Sequence, residues 1–253
     1  MSFSAALQRA AAIYGLTLTE RQQQQFQRYY ELLIEWNEKM NLTAITEPQE
    51  VAVKHMIDSL SAWDAGLFTP GARLIDVGTG AGFPGIPLKI FQPELQLTLL
   101  DSLQKRVGFL QTVCDALELE GVSCVHARAE EAARQKAYRE QFDIAVSRAV
   151  ARLSVLAEYC LPFVRIGGSF LALKGMRYQE EADEAKRALH LLGGDIAAIR
   201  PVHLPELDDV RAILTISKKQ RTPAVYPRKA GTPEKNPLGS EKKKDLTDRK
   251  RNR

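Results

Sequence analysis

The sequence predicts an α/β fold built on a mainly parallel sheet, with helices in front of it and a basic arm behind. Three observations carry this. From Ala72 onward, short β-rich runs alternate with stretches of helical periodicity, the grammar of βαβ units. The first of these runs, RLIDV, opens into glycines at 78, 80, 82 and 85 before a helix starts near Pro84. The residues ahead of the sheet repeat their apolar positions at helical spacing.

Taken in order, residues 1–66 form a helical cap, 67–217 a ligand-binding domain, and 218–253 a basic, proline-containing arm and disordered tail. In the cap, Phe26, Tyr29, Tyr30, Leu33, Trp36 and Met40 line one side of a helix, and this stripe reads as core-facing. The glutamines at 22–25 read as a solvated face. A second helix opens at Thr46-Glu47-Pro48-Gln49, a capping box with Pro in the first turn, and runs to about Asp64. The strands are RLIDV, LQLTLLD, VSCVHA, FDIAVS and SFLALK. Leu103, Val107, Leu110, Cys114 and Leu117 mark a helix capped by Asp101 or Ser102 and stopped by Gly121. Further helices span about 153–161 and 178–192. AAIRPVHL and VRAILTIS have no helix between them and form an antiparallel pair at a sheet edge. Four X-Pro pairs between 222 and 237 make the next stretch extended, and beyond Gly239 the chain is nearly all charge.

Composition narrows the class. The chain has 253 residues, 45% hydrophobic and 26% charged, which excludes a collagen, a wholly disordered chain and a disulfide-stapled miniprotein. The net charge of +4 is unevenly spread: residues 218–253 hold 13 Lys and Arg against 4 Asp and Glu, and residues 1–217 hold 22 against 27. An acidic body with a basic tail suits an anionic partner. Cys114, Cys124 and Cys160 have neither C-x-x-C nor metal-ligand spacing, which points to a reducing compartment. With no signal peptide and no bilayer-length apolar run, the expectation is a cytoplasmic protein without a membrane partner; no motif suggests a dimer, so it is expected to be a monomer.

The segment LIDVGTGAGFPGIPLKI (74–90) supports two cofactor readings. Gly80, Gly82 and Gly85 fit a dinucleotide fingerprint, with Asp101 placed for a ribose hydroxyl. Alternatively Asp76, Gly78, Gly80 and Gly82 fit the acidic-residue-plus-GxGxG loop that holds S-adenosylmethionine. The second is favoured. A carboxylate at the strand end suits a cationic amino acid moiety and not a pyrophosphate. The dinucleotide glycines also start too far beyond the strand. Arg128-Ala129-Glu130 follows the third strand, where such sheets border the adenine. Arg148 and Lys174 close the fourth and fifth strands, the edge at which open sheets bind ligands.

With these residues assembled, the chain resembles the RsmG (GidB) family of bacterial methyltransferases, which modify guanine N7 in 16S ribosomal RNA. The resemblance covers about residues 20–238. It rests on WNEKMNLTAI (36–45), VKHMIDSL (53–60), the glycine segment, LLDSLQKRVGFL (99–110), ARAEE (127–131), SRAVA (147–151), LALKG (171–175) and YPRKAGTPEKNPL (226–238). It implies a class I methyltransferase (Rossmann-like) fold, doubly wound on a seven-stranded sheet. It implies donor contacts from Gly78, Phe83, Asp101, Ala129, Glu130 and Arg148. It places Asn41, His55, Asp58, Arg128 and Lys174 on the RNA side of the pocket.

The chemistry so implied is undemanding. Guanine N7 carries an in-plane lone pair, and a sulfonium methyl is already an activated electrophile. Alignment can supply much of the rate, on the order of 7–11 kcal/mol in favourable systems, without a nucleophilic side chain, a metal or a strong base. Asp58 is a candidate to stabilise the cationic product electrostatically. Arg148, Lys174 and Asp58 are thus candidates for substrate positioning. Arg228 and Lys229, with Lys218, Lys219, Arg221 and the clusters at 242–244 and 249–251, are candidates for phosphate contacts. A methyltransferase of another RNA, a protein or a small molecule is the alternative.

Overall fold

The computed structural model describes residues 1–148 and 151–239. Two capped helices open the chain. Ser2 accepts the Ala5 N–H at the head of α1 (Phe3–Tyr14), and Thr19 forms a reciprocal capping box with Gln22 at the head of α2 (Glu20–Met40). Phe26, Tyr29 and Leu33 are fully buried, while Tyr30, Trp36 and Met40 are half-buried. The glutamine run is not merely solvated. Gln22 Nε2 donates to the carbonyls of Ile90 (3.2 Å) and Phe91 (3.0 Å), and Gln25 Nε2 to that of Leu117 (2.8 Å). These carbonyls lie at the ends of two helices of the sheet domain, where the backbone has no partner of its own. The long amides supply one, so the cap is pinned by polar contacts as well as by packing. Gln22→Ala, which also breaks the capping box, is expected to lower unfolding free energy by about 2 kcal/mol, read by urea titration.

The next helix is composite. Regular turns at Pro48–Val51 (α3) pass into a π-helical segment, Ala52–Ile57, and return to α at Asp58–Leu60 (α4). Glu47 is the N-cap and makes no side-chain cap bond, so the capping box expected at Thr46 is absent. The Thr46 carbonyl instead accepts the Tyr30 hydroxyl at 3.2 Å. π turns recur at functional sites, and this one carries Lys54 and His55.

The sheet follows: β1 (Arg73–Val77), α5 (Gly85–Phe91), β2 (Gln96–Asp101), α6 (Gln104–Ala116), β3 (Val122–His126), α7 (Ala129–Ala132), β4 (Phe142–Arg148), α8 (Leu153–Cys160), β5 (Val164–Lys174), α9 (Tyr178–Leu191), β6 (Gly194–Val202) and β7 (Arg211–Lys218). The seven strands run in the order β3-β2-β1-β4-β5-β7-β6. β1 to β5 are parallel, and the β6–β7 pair is antiparallel, with β7 beside β5. Alternate residues feed two core layers. Leu74, Leu97 and Leu99 meet the N-terminal helices on one face; Ile75, Val77 and Leu100 meet the α8 and α9 side. Strand order reverses between β1 and β4, and the chain ends diverging there leave a crevice at the carboxyl edge.

The residues after β7 correct the expectation of an extended arm. Lys218 is fully buried, donating to the Leu161 carbonyl (2.6 Å) and Thr222 Oγ1 (2.5 Å), so it makes no phosphate contact. Arg139 donates to the carbonyls of Thr222 (2.8 Å) and Tyr226 (2.9 Å), and Arg134 to that of Pro227 (2.5 Å). Tyr226 and Leu238 pack against the core. A proline-rich segment has few N–H groups for a ladder, and arginines from the body satisfy its carbonyls instead. It is a strap across the surface, ending in the short α10 (Thr232–Lys235). The tail expected to be disordered lies, from residue 240, outside the described residues.

Candidate active site

The loop after β1 is organised by two carboxylates. Asp76 Oδ2 accepts Thr79 Oγ1 (2.7 Å) and the Gly85 N–H (2.8 Å). Asp101, at the end of β2, accepts the Gly80 N–H through Oδ2 and the Leu103 N–H through Oδ1, both at 2.9 Å. Gly85 permits the first of these contacts: a Cβ there would sit 2.8 Å from Asp76 Oδ2 and from Leu99 Cδ2. Asp76 engages the loop through Oδ2 alone, and its Oδ1 is buried without a hydrogen-bond partner among the described residues. It is wholly buried, lines neither neighbouring cavity, and holds the loop from behind. Gly80, Gly82 and Phe83, expected to touch the donor, also line neither cavity. Phe83 stacks on His55 (4.6 Å between centroids) and carries the Arg148 guanidinium 4.8 Å above its ring.

Two cavities open at the carboxyl edge and share Ala151. The first, about 380 Å³, is lined by Gly78, Asp101, Ala129, Glu130, Tyr159 and Glu234. Arg128 lines this one too, not the RNA side to which the motif assigned it. The second, about 580 Å³, gathers His55, Asp58, Arg148, Lys174 and Arg211. Asp58, 4% exposed, is gripped by two guanidiniums: Oδ2 lies 3.0 Å from Arg148 Nη1 and Oδ1 3.2 Å from Arg211 Nη1. Lys174 pairs with Glu181 at 2.7 Å and also bonds the Ala151 carbonyl. Asn41 is outside both cavities; its left-handed backbone ends α2, a conformation Asn tolerates well. Arg228 is not open to phosphate, because Glu158 engages it; Lys229 is exposed.

Sequence reading missed Arg211. Polar residues that close apolar strands reach the ligand edge only where the strands are parallel. β7 runs antiparallel to β5, so its beginning lies at the ligand edge, with Ala212 opposite Lys174. An Arg opening VRAILTIS was the available signal.

Burial, and next the Arg148 charge, push the His55 pKa down to about 3, so its ring is neutral. Burial pushes Asp76 up to about 7 against its hydrogen bonds from Thr79 and Gly85. The two act oppositely on stability. As pH falls from 6.5 toward 3, an unfolded His binds a proton that folded His55 refuses, and stability drops. As pH rises from 3.8 toward 7, an unfolded Asp gives up a proton that folded Asp76 keeps, and stability also drops. Between pH 4 and 6.5 the slopes offset. Denaturation series should show stability rising more steeply with pH in Asp76→Asn than in wild type, and less steeply in His55→Gln.

The first cavity suits S-adenosylmethionine. Each Asp101 oxygen has accepted one backbone N–H and retains acceptor capacity for ribose hydroxyls. Glu130 uses Oε1 on the Gly231 N–H, and the volume lies in the range of small-molecule sites.

The sheet order, glycine loop and twin cavities define a class: the Rossmann-like class I fold of S-adenosylmethionine-dependent methyltransferases. Solved structures share that fold. A SAM-dependent methyltransferase from Aquifex aeolicus superposes with a TM-score of 0.52 at 13% identity, over 70% of this chain and 96% of that one. TYW2 of P. horikoshii, solved with MeSAdo, gives 0.51 at 12% identity, over 64% and 61%. The profile described as rRNA small subunit methyltransferase G matches residues 22–208. Ribosomal RNA small subunit methyltransferase G of Exiguobacterium sibiricum is 52% identical over 230 residues, 91% of this chain and 97% of its own. That of Desulforamulus reducens is 49% identical over 232 residues, 92% and 97%. The chain belongs to the rRNA small subunit methyltransferase G family, as its motifs led us to expect.

Proposed function

We propose that the protein transfers a methyl group from S-adenosylmethionine to N7 of a specific guanine in 16S ribosomal RNA. The observation that carries this is the pair of cavities meeting at Ala151, one suited to the donor and the other cationic, in a chain of this family. Gly78, Asp101, Ala129 and Glu130 hold the donor, which when bound supplies an activated methyl on a positively charged sulfur. Arg148, expected to touch the donor, lines the second cavity and not the first, so it faces the base. With Asp58 and Arg211 it leaves one net positive charge in the substrate cleft, His55 being neutral. A cationic cleft of this kind attracts the phosphate backbone. The carboxylate of Asp58 is already matched by two guanidiniums, so its part is to aim Arg148 and Arg211; stabilising the methylated base would need free charge. Van der Waals walls and aligned donors suffice for the rest, since N7 needs no deprotonation.

The test is methyl transfer to small subunits from cells lacking the activity, with the modified nucleoside identified by mass spectrometry. 7-Methylguanosine at one position of the 16S RNA is the expected result. Donor binding with no RNA product would overturn the substrate assignment and leave the fold and cofactor in place.

A further inference from the structure

The C-terminal strap touches the donor cavity directly. Buried Glu158 on α8 takes four hydrogen bonds from Arg228: one from its backbone N–H (2.7 Å), two from Nε (2.9 and 3.1 Å) and one from Nη2 (2.6 Å). Three residues further on, the Gly231 N–H binds Glu130 Oε1 at 2.9 Å, so strap and donor site share one carboxylate. α10 then packs against α8, Pro233 is buried, and Glu234 lines the donor cavity, as does Tyr159. Burial, with Glu130, Glu234 and Glu158 close by, pushes the Tyr159 hydroxyl up to about 12.

We propose that residues 222–239 form a wall of the methyl-donor cavity latched by the Glu158–Arg228 pair, which makes Glu158 and Arg228 positioning residues for the donor. This rests on the reading that the first cavity holds S-adenosylmethionine. The latch spends the Arg228 charge on a protein carboxylate, so this residue serves the donor and not the RNA. It also fixes Glu130: with the strap released, the Gly231 bond is lost, Glu130 is free to turn away, and Glu234 leaves the cavity. Neither Glu158 nor Arg228 lines the cavity itself, so their effect on the donor passes entirely through the strap.

The test uses the full-length protein, S-adenosylhomocysteine as the probe, calorimetric titration, and amide exchange over residues 222–239. In wild type, binding should slow exchange across the strap. Arg228→Gln alone strands a buried carboxylate and can unfold the chain, so the informative variant is the neutral pair E158Q/R228Q. It should raise Kd for the probe at least tenfold and raise KM for the donor in parallel, with KM for RNA within twofold. R228K, which keeps a charge without the fork, should recover part of the loss. E234A, on the strap's surface, should raise Kd at least threefold. Ligand-independent strap exchange in wild type, or a folded E158Q/R228Q with unchanged probe affinity, overturns the latch. A rise in KM for RNA with unchanged probe affinity overturns it too and assigns the arm to the substrate. If wild type fails to bind the probe, the cavity assignment itself falls, and the latch with it.

Discussion

Asp101→Ala is expected to weaken S-adenosylhomocysteine binding by a hundredfold or more. The carboxylate does two jobs at once. Toward the protein it accepts the Gly80 and Leu103 N–H groups, tying the glycine loop to the end of β2. Toward the ligand its remaining lone pairs face the cavity from a side chain only 4% exposed. A hydrogen bond to a charged group contributes about 1.5–3 kcal/mol, so losing two to the ribose amounts to roughly 3–6 kcal/mol before any loop disorder. Each 1.4 kcal/mol is a factor of ten. Asp101→Asn separates the two jobs. Its single carbonyl oxygen can serve one backbone N–H, while its amide places a donor beside other donors. Its loss should therefore approach that of Ala. Calorimetry reads both variants, and near-wild-type affinity in Asp101→Ala would remove the ribose assignment.

Most of the frame was legible because it is local. The strand runs, the helices over about 153–161 and 178–192 and the antiparallel final pair follow from periodicity and turn chemistry, and all recur in the structure. Gly78, Asp101, Ala129 and Glu130 were legible because parallel strands deliver their carboxyl ends to one edge, and all four line the first cavity. What escaped depends on contacts distant in sequence. Gln22 and Gln25 looked solvated since their partners, the carbonyls at 90, 91 and 117, are some seventy to ninety residues away. Arg228 looked like a free cation because Glu158 lies seventy residues upstream. That Asp76 holds Thr79 and Gly85 through one oxygen was not legible, because position along a strand was known and the direction of its side chain was not. Arg211 was hidden by strand polarity, which periodicity does not report.

The second large effect is expected at Asp58. Removing its carboxylate as Ala leaves two guanidiniums facing one another in the cleft, with the Arg211 Nε already buried and without a hydrogen-bond partner among the described residues. Breaking a buried ion pair from one side costs about 3–5 kcal/mol, more than replacing the whole pair. Chemical denaturation should show a loss of that order in Asp58→Ala, and D58A/R211A should regain part of it, because the unmatched charge leaves with its partner. Activity separates positioning from simple support. Arg148 keeps its bond to the Lys54 carbonyl and its place above Phe83, so it stays in the cleft without Asp58 but loses its aim. Asp58→Asn retains an oxygen for one guanidinium and should fold. Its single-turnover rate should fall at least tenfold while donor affinity stays near wild type, since the donor cavity does not include position 58. A folded Asp58→Asn with an unchanged single-turnover rate would show that the two arginines find their positions without the carboxylate, and would leave Asp58 a purely structural counter-charge.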